Sequence, residues 1–226
     1  MVYRIVKRVI DFICALIGIL VTSPFWIIAI VGILISDWGP IFYVATRIGK
    51  DNKPFKMYKF RSMRIAKAAS EASLRPDADR IFAFGNFIRK FKIDELPQLL
   101  NILNGTMSII GPRPVAQDQI TMFRYGKWNE AAMVPVGLSG PAALYDFIYG
   151  DQITNPEEYM VKVYPTRLEL EYVYVQKKSL LYDLKMIIYT VICILYTLFG
   201  RECIWILNEL LESVNESAGR VGTNED

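Results

Sequence analysis

The fold of this chain is decided by 25 consecutive residues without a charge, FICALIGILVTSPFWIIAIVGILIS, which run from Phe12 to Ser36. At about 1.5 Å of rise per residue, a helix of this length crosses a hydrocarbon core of about 30 Å. The run is too long for a cleavable signal peptide, and no small-residue cleavage site follows it. The sequence therefore predicts a membrane helix in this part of the chain.

Basic residues flank the apolar run on both sides. Arg4, Lys7 and Arg8 precede it, and no acidic residue lies among the first eight positions. Between positions 37 and 64, seven Lys or Arg residues stand against only Asp37 and Asp51. Lys and Arg are enriched in segments that stay on the cytoplasmic side, so the pattern places both ends of the run there.

Ser23 and Pro24 lie near the middle of the run. Proline removes a helical hydrogen bond and clashes with the preceding turn, so we expect a bend, and the Ser23 hydroxyl can satisfy a carbonyl that proline frees. Two half-helices of about a dozen residues would each reach only part of the way into the bilayer and return. A kinked helix that spans the membrane is the alternative, and these residues alone do not choose between the two.

The composition restricts the chemistry. Of the 226 residues, 53% are apolar, the mean hydropathy is +0.25, and the net charge of +3 gives no reason to expect nucleic acid as a partner. Histidine is absent, which excludes Ser-His-Asp and Cys-His catalysis. Only Cys14, Cys193 and Cys203 remain as soft ligands, which argues against zinc. An enzyme with this composition must use carboxylates, Lys or Arg, with or without a hard metal ion.

Asp94 and Glu95 stand directly before a leucine-rich segment with helical spacing, Glu95 to Leu103, which Asn104-Gly105 terminates. Asp is a favoured N-cap and Glu is favoured in a first turn, so helix capping explains the pair in isolation. The same geometry suits catalysis, because a helix N-terminus keeps a carboxylate ionised beside free N–H groups that attract phosphate. Adjacent carboxylates also suit Mg²⁺, which prefers oxygen ligands.

Basic residues surround this pair in the sequence. Lys59 and Arg61 share one face of an extended segment, and Arg113 is held between two prolines in a stiff loop, where a guanidinium has a fixed direction for phosphate recognition. Arg89 lies just ahead of the carboxylates. Ordinary solvated cations or a basic stretch beside anionic lipid explain each of these residues when it is taken alone.

The order of these motifs resembles that of the small monotopic phosphoglycosyl transferases, also called bacterial sugar transferases. The resemblance covers roughly residues 5 to 200 and is carried by the apolar run with its Ser-Pro break, YKFRSM at 58–63, FIRK at 87–90, IDELPQLLN at 93–101 and GPRP at 111–114. The segment PVGLSGP at 135–141 departs from the pattern of the family, so no sugar preference is transferred through it.

The resemblance implies an α+β, mainly helical, monotopic membrane protein. Residues 1–36 would form a re-entrant helix-break-helix, 37–200 a cytoplasmic catalytic domain, and 201–226 a C-terminal extension with a disordered end from Gly219. The protein would lie in the bacterial cytoplasmic (inner) membrane, with its active site on the cytoplasmic face. The polar segment 64–80 is predicted to be exposed, and the apolar run 186–199 to form a buried or interfacial helix.

The resemblance also implies a reaction. Asp94 would attack the β-phosphate of a UDP-sugar, release UMP and carry the phospho-sugar until polyprenol (undecaprenyl) phosphate takes it. Glu95 would either hold Mg²⁺ with Asp94 or handle the acceptor proton, and both roles stay open. The basic residues expected near the phosphates are Lys59, Arg61, Arg89 and Arg113.

The expected partners are a UDP-sugar, polyprenol phosphate, membrane lipid and a second copy of the chain in a homodimer, with no nucleic acid. Two other functions compete with this interpretation. A non-catalytic membrane-anchored module would use the basic motifs to bind anionic lipid or a partner. A lipid phosphatase would use water in place of the lipid acceptor.

Overall fold

The computed structural model describes residues 2–65 and 80–222, with side chains through residue 217, and shows a mainly helical α+β fold. The helices are α1 (Val2–Ser36), α2 (Ala83–Lys90), α3 (Gln98–Asn104), α4 (Ile120–Phe123), α5 (Pro141–Ile148), α6 (Pro156–Lys162), α7 (Tyr164–Lys177), α8 (Leu180–Leu198) and α9 (Ile204–Gly222). The strands are β1 (Phe42–Ile48), β2 (Pro54–Phe60), β3 (Ser108–Ile110), β4 (Val115–Ala116) and β5 (Gly137–Ser139). Most of the polar segment 64–80, and residues 223–226 of the predicted disordered end, lie outside the described residues.

The chain divides into two compact units. The first contains residues 1–109 and 114–120, and the second contains residues 110–113 and 121–226. The first unit holds α1, the β1–β2 hairpin, α2 and α3, and the second holds most of the helices that follow.

In helix α1, charged residues are buried and large aliphatic residues are exposed, the reverse of the distribution in a helix of a soluble protein. Its buried residues include Lys7 and Asp11 together with small or aliphatic residues, whereas Leu20 and Val21 are 67% and 69% exposed. A helix at a protein–water boundary shows the opposite distribution. By length and composition, α1 and α8 are both apolar enough to cross a membrane. These features support anchoring of the chain to a membrane through α1.

The Ser23-Pro24 pair lies inside α1, which is assigned as one helix from Val2 to Ser36. The Ser23 hydroxyl donates to the carbonyl of Leu20 at 2.8 Å, and Leu20 is the residue whose carbonyl Pro24 cannot serve. The expected compensation for the missing N–H is therefore confirmed.

The first unit packs its sheet and short helices against α1. Strand β1 lies between β2 and β4 and pairs antiparallel with both, with Ala45 opposite Met57 in the β1–β2 register. A core cluster joins Ala29 and Ile33 of α1 to the last residue of β2, Phe60, and to residues after the hairpin, namely Phe82, Ile88 and Ile93. Asp94 directly follows Ile93, so the packing of this core fixes the backbone position of Asp94.

The second unit is organised around α7. Arg124 and Glu171 form a salt bridge of 2.7 Å in its interior, and the Tyr174 hydroxyl lies 2.9 Å from Asp183 of α8. The Gly111-Pro112 turn pairs with β5: the Gly111 N–H donates to the Ser139 carbonyl at 3.0 Å, and the Gly137 N–H donates to the Pro112 carbonyl at 2.8 Å. These bonds hold the loop that carries Arg113.

Helix α8 contains the second apolar run. It buries Asp183, Met186 and Cys193 and leaves its aliphatic side exposed, with Leu181 80% accessible. Within the run 186–199, Met186 and Cys193 are buried, whereas Ile188, Val191 and Leu195 are about half exposed, which disfavours the buried alternative.

Candidate active site

The two acidic residues lie in a tight connection between α2 and α3. Lys92 has left-handed backbone angles (φ 55°, ψ 20°), which are rare for a residue other than glycine. A 3-10 turn over Ile93–Glu95 follows, and α3 begins only at Gln98. The N-cap position of α3 is Pro97, with no side-chain hydrogen bond. The prediction of a helix from Glu95 was wrong by three residues, and Asp94 does not cap α3.

Asp94 is 5% exposed. Burial raises the pKa of Asp94 above the ordinary carboxyl range because the charged form loses its hydration. The negative charge of Glu95 also raises this pKa. The positive charges of Lys59, Arg89 and Lys92 lower it, and Lys59 has the largest effect of the three. The sequence suggested a helix N-terminus that keeps this carboxylate ionised. In the structure, the pKa of Asp94 is raised and not lowered, because desolvation outweighs the nearby cations. A poorly hydrated carboxylate held among cations is a suitable nucleophile for phosphorus.

Glu95 makes a direct ion pair beside this buried group. Its Oε1 lies 2.8 Å from Nζ of Lys59, near the end of β2, and both side chains are partly buried. Lys59 also acts on the charge of Asp94. The charge of Lys59 therefore acts on two adjacent carboxylates.

Arg89 and Arg61 have different surroundings. Arg89 lies in the last turn of α2, and its charge lowers the pKa of Asp94. Arg61 is 4% exposed, and its guanidinium donates to the carboxylate and carbonyl of Asp37 and, at 2.5 Å, to the carbonyl of Pro40. These contacts tie the connection between α1 and β1 to the end of β2, and the role of Arg61 as a phosphate ligand stays a prediction.

Arg113 belongs to the second unit, where it joins a network of charges. Its Nε lies 3.8 Å from Oδ2 of Asp146, and Arg167 approaches the same oxygen at 3.5 Å. The Tyr159 hydroxyl donates to the other oxygen of Asp146 at 2.8 Å. The side chain of Arg113 is 28% exposed, whereas those of Asp146 and Arg167 are at most 10% exposed. The network therefore presents Arg113 as its most accessible cation.

The sequence analysis missed Lys92 and Asn101 in the first unit, and Asp146 beside Arg113 in the second unit. Lys92 was adjacent to the acidic pair and could have been included on charge alone. Asn101 is fully buried in α3 and binds the edge of β2, although it stands in a leucine-rich helix where only the aliphatic residues were interpreted. Asp146 lies just beyond the divergent segment 135–141, in a stretch from which no site residue was inferred.

The predicted Mg²⁺ ligands can be tested against the donors present. Within residues 2–65 and 80–222, no group of three or more His, Cys, Asp or Glu side chains is arranged to hold a metal ion. Mg²⁺ is usually bound by one or two carboxylates together with substrate phosphates and water. The oxygen donors of Asp94 and Glu95 fit an ion that arrives with a phosphorylated substrate.

A cation-lined carboxylate pair on a unit anchored by an exposed apolar helix defines a membrane-associated protein suited to a phosphorylated substrate. The chain belongs to the bacterial sugar transferase family, whose model matches residues 2–197.

Relatives in the same family carry specific names. The chain is 34% identical over 206 residues to the UDP-N-acetylgalactosamine-undecaprenyl-phosphate N-acetylgalactosaminephosphotransferase of Aeromonas hydrophila, covering 89% of this chain and 46% of that protein. It is 34% identical over 197 residues to the UDP-glucose:undecaprenyl-phosphate glucose-1-phosphate transferase of Escherichia coli, covering 84% and 40%. An uncharacterized sugar transferase of Bacillus subtilis, EpsL, is 34% identical over 187 residues, covering 83% and 86%. The chain thus spans less than half the length of the first two relatives.

Proposed function

We propose that this protein transfers a phospho-sugar from a UDP-sugar to polyprenol (undecaprenyl) phosphate, through a covalent intermediate on Asp94. The observation that carries the proposal is the buried Asp94 carboxylate among Lys59, Arg89 and Lys92, with a pKa raised by desolvation. The names of the relatives, which specify UDP-sugar donors and undecaprenyl phosphate, support it. The product would enter the assembly of a surface glycan.

In the first half-reaction, a carboxylate oxygen of Asp94 attacks the β-phosphorus of the UDP-sugar. The bond between that phosphorus and the bridging oxygen breaks, and UMP leaves with the electron pair. Phosphoryl transfer depends mainly on positioning and charge neutralisation, which Lys59 and Arg89 supply on the Asp94 side. No histidine is required.

In the second half-reaction, a phosphate oxygen of polyprenol phosphate attacks the same phosphorus. The acyl-phosphate bond to Asp94 breaks, and a polyprenol diphosphate sugar leaves. Glu95, paired with Lys59 at 2.8 Å, either holds Mg²⁺ with Asp94 or accepts the proton of the acceptor phosphate. Arg113, presented by Asp146, is a further candidate for binding a substrate phosphate.

We propose Mg²⁺ as the cofactor, held by Asp94 and Glu95 together with substrate phosphates. The bound ion would supply additional neutralisation of phosphate charge. Lys59 would keep its 2.8 Å contact with Oε1 of Glu95.

We also propose that α1 enters the membrane and returns to the same side. Near its start, Arg8 donates to the carbonyl of Leu103 at 2.8 Å, and Asp11 accepts from Ser108 at 2.7 Å. Just past its end, Asp37 is bound by Arg61. Both ends of α1 thus contact one compact unit, and both flanks are basic. This supports a monotopic arrangement on the cytoplasmic face of the inner membrane, with the site near the lipid phosphates.

The topology can be measured with a short tag at the amino terminus. We expect a protease to remove the tag in inverted membrane vesicles and to leave it intact in spheroplasts. Cleavage in spheroplasts would show that α1 spans the membrane. A tag at the other end of the chain reports vesicle integrity and orientation in the same samples. The predicted homodimer can be tested on the detergent-solubilised protein by light scattering.

The reaction itself can be tested by intact mass spectrometry. Purified protein is incubated with Mg²⁺ and a panel of UDP-sugars that begins with UDP-N-acetylgalactosamine and UDP-glucose, without a lipid acceptor. We expect a mass gain of one phospho-sugar with release of UMP, lost in Asp94→Asn and retained in Asp118→Asn, which changes an exposed aspartate.

The competing functions give different results in the same assay. Absence of an adduct and of UMP, with or without polyprenol phosphate and across a broad donor panel, would favour the non-catalytic binding module. Release of inorganic phosphate from polyprenol phosphate without any donor would favour the phosphatase.

A further inference from the structure

Asn101 in α3 binds the free edge of strand β2 through its side-chain amide. Its Nδ2 donates to the carbonyl of Lys56 at 2.7 Å, and its Oδ1 accepts from the N–H of Tyr58 at 2.9 Å. Strand β2 pairs with β1 on its other edge. In a β-strand, the backbone groups of alternate residues point to the same edge, so one amide reaches both. The Asn101 side chain thus takes the place of a neighbouring strand.

The Asn101 side chain makes three hydrogen bonds and is fully buried. Its Nδ2 also lies 3.1 Å from Oγ1 of Thr106, so both N–H groups of the amide have acceptors, and its exposed fraction is 0%. The backbone carbonyl of Asn101 accepts from Thr106 and Met107, each at 3.1 Å. A buried amide whose oxygen and both N–H groups have partners is confined to one orientation. The hydrogen bonds of Asn101 therefore fix the distance between α3 and β2.

The two segments that Asn101 joins carry the two halves of the ion pair. Lys59 follows Tyr58 directly in β2, and Glu95 lies in the turn that leads into α3. The 2.8 Å contact between them depends on the spacing of β2 and α3.

We propose that Asn101 is a positioning residue for the transfer reaction, holding Lys59 at the distance from Glu95 and Asp94 that charge neutralisation requires. The inference rests on the proposed function of Asp94, because it assigns a role in that reaction. Asn101 itself does not touch the substrate phosphate in this scheme.

The main test is the single-turnover rate of adduct formation with a donor that labels the wild-type protein. We expect Asn101→Ala to lower this rate by about 10- to 100-fold, since displacement of a catalytic group by about 1 Å has effects of this size. Asn101→Ser keeps a small polar group but is too short to bind both Lys56 and Tyr58, so an intermediate loss is expected. It also provides a second variant if Asn101→Ala does not fold.

A double-mutant cycle with Lys59→Met separates positioning from general structural damage. If Asn101 acts through Lys59, then Asn101→Ala lowers the rate much less in the Lys59→Met background than in the wild type. If Asn101→Ala lowers the rate by the same factor in both backgrounds, the proposal is overturned. A wild-type rate for Asn101→Ala alone would also overturn it.

Asn104→Ala is the matched control. Asn104 lies at the exposed end of α3 and accepts from the N–H of Thr106 at 3.0 Å, so the variant loosens the same turn without touching β2. We expect it to keep the wild-type rate. A loss equal to that of Asn101→Ala would show that the turn, and not the contact with β2, is responsible.

Hydrogen exchange at the Tyr58 amide tests the contact without relying on activity. We expect this amide to exchange faster in Asn101→Ala than in the wild type and Asn104→Ala. Unchanged exchange would overturn the inference whatever the rates show. A wild-type protein that forms no adduct with any donor would instead refute the proposed function, and the exchange result would still stand.

Discussion

Lys59 Nζ lies 2.8 Å from Oε1 of Glu95 and also lowers the pKa of Asp94, the residue immediately before Glu95. The charges of the acidic pair are therefore coupled through one lysine. Burial of Asp94 disfavours its ionised form, and this lysine is the largest influence in the opposite direction. The reactivity of the pair depends on how accurately β2 presents Lys59 to the turn between α2 and α3.

Replacement of Lys59 should affect the reaction strongly. We expect Lys59→Met to slow adduct formation by about 10²- to 10³-fold, the usual cost of removing one group that stabilises developing charge. Its loss also raises the pKa of Asp94 further, since an opposing cation is removed. Lys53→Met, in the exposed turn of the same hairpin, should leave the rate unchanged. Equal rates for the two variants would exclude a catalytic role for Lys59.

The buried Asp94 should make the protein less stable at neutral pH. Its pKa is higher in the folded protein than in the unfolded chain because burial disfavours the charge. Between the two pKa values, the folded protein binds more protons, so the free energy of unfolding falls as the pH rises through this range. We therefore expect Asp94→Asn, which removes the charge, to raise the melting temperature at pH 7 while it abolishes the adduct.

The comparison is best made in detergent with a chelator present, so that no metal ion contributes. The difference in melting temperature between Asp94→Asn and the wild type should shrink as the pH is lowered toward about 4, where an ordinary carboxyl group protonates. A difference in melting temperature that does not change with pH would contradict the explanation by charge burial. Asp118→Asn provides the matched exposed replacement.

Arg113 and Asp146 should respond differently to substitution. Asp146 is contacted by Arg113, Arg167 and Tyr159 in the interior of the second unit, so Asp146→Asn should lower the melting temperature clearly; breaking a buried pair costs about 3–5 kcal/mol. Arg113 is 28% exposed, so Arg113→Ala should affect stability little. If Arg113 binds a substrate phosphate, the same variant should still lower transfer by at least about tenfold. Normal transfer by a stable Arg113→Ala protein would assign Arg113 a structural role only.

Gly32 should be required for the contact between α1 and α2. A Cβ atom at Gly32 would lie 2.2 Å from the end of the Phe84 ring. We expect Gly32→Ala to destabilise the protein by about 1–3 kcal/mol, as overpacking does, despite the better helix propensity of alanine. Gly18→Ala, where the nearest atom lies at 3.4 Å, is the control. Phe84→Leu combined with Gly32→Ala should restore part of the melting temperature, and the absence of any rescue would contradict this steric explanation.

Local features of this protein could be predicted from its sequence. The membrane helix follows from hydropathy over 25 residues, and the bond from Ser23 to the Leu20 carbonyl follows from the position of Pro24, because both depend on residues within one or two helical turns. Gly105 ends α3 in a left-handed conformation, as the Asn-Gly signal predicted. The grouping of Asp94, Glu95 and Lys59 was inferred from motif order, and the structure places Lys59 against Glu95.

Burial and long-range contacts were decided only by the tertiary structure. The sequence placed Asp94 at a helix N-terminus that would keep it ionised, but the core around Ile93 buries it and raises its pKa. Two arginines with the same charge have different surroundings: Arg61 is bound to Asp37, whereas Arg89 acts on Asp94. Residue type specifies which interactions a side chain can make. The packing of segments distant in sequence determines its partners and how much water remains around its charge, and these decide its role.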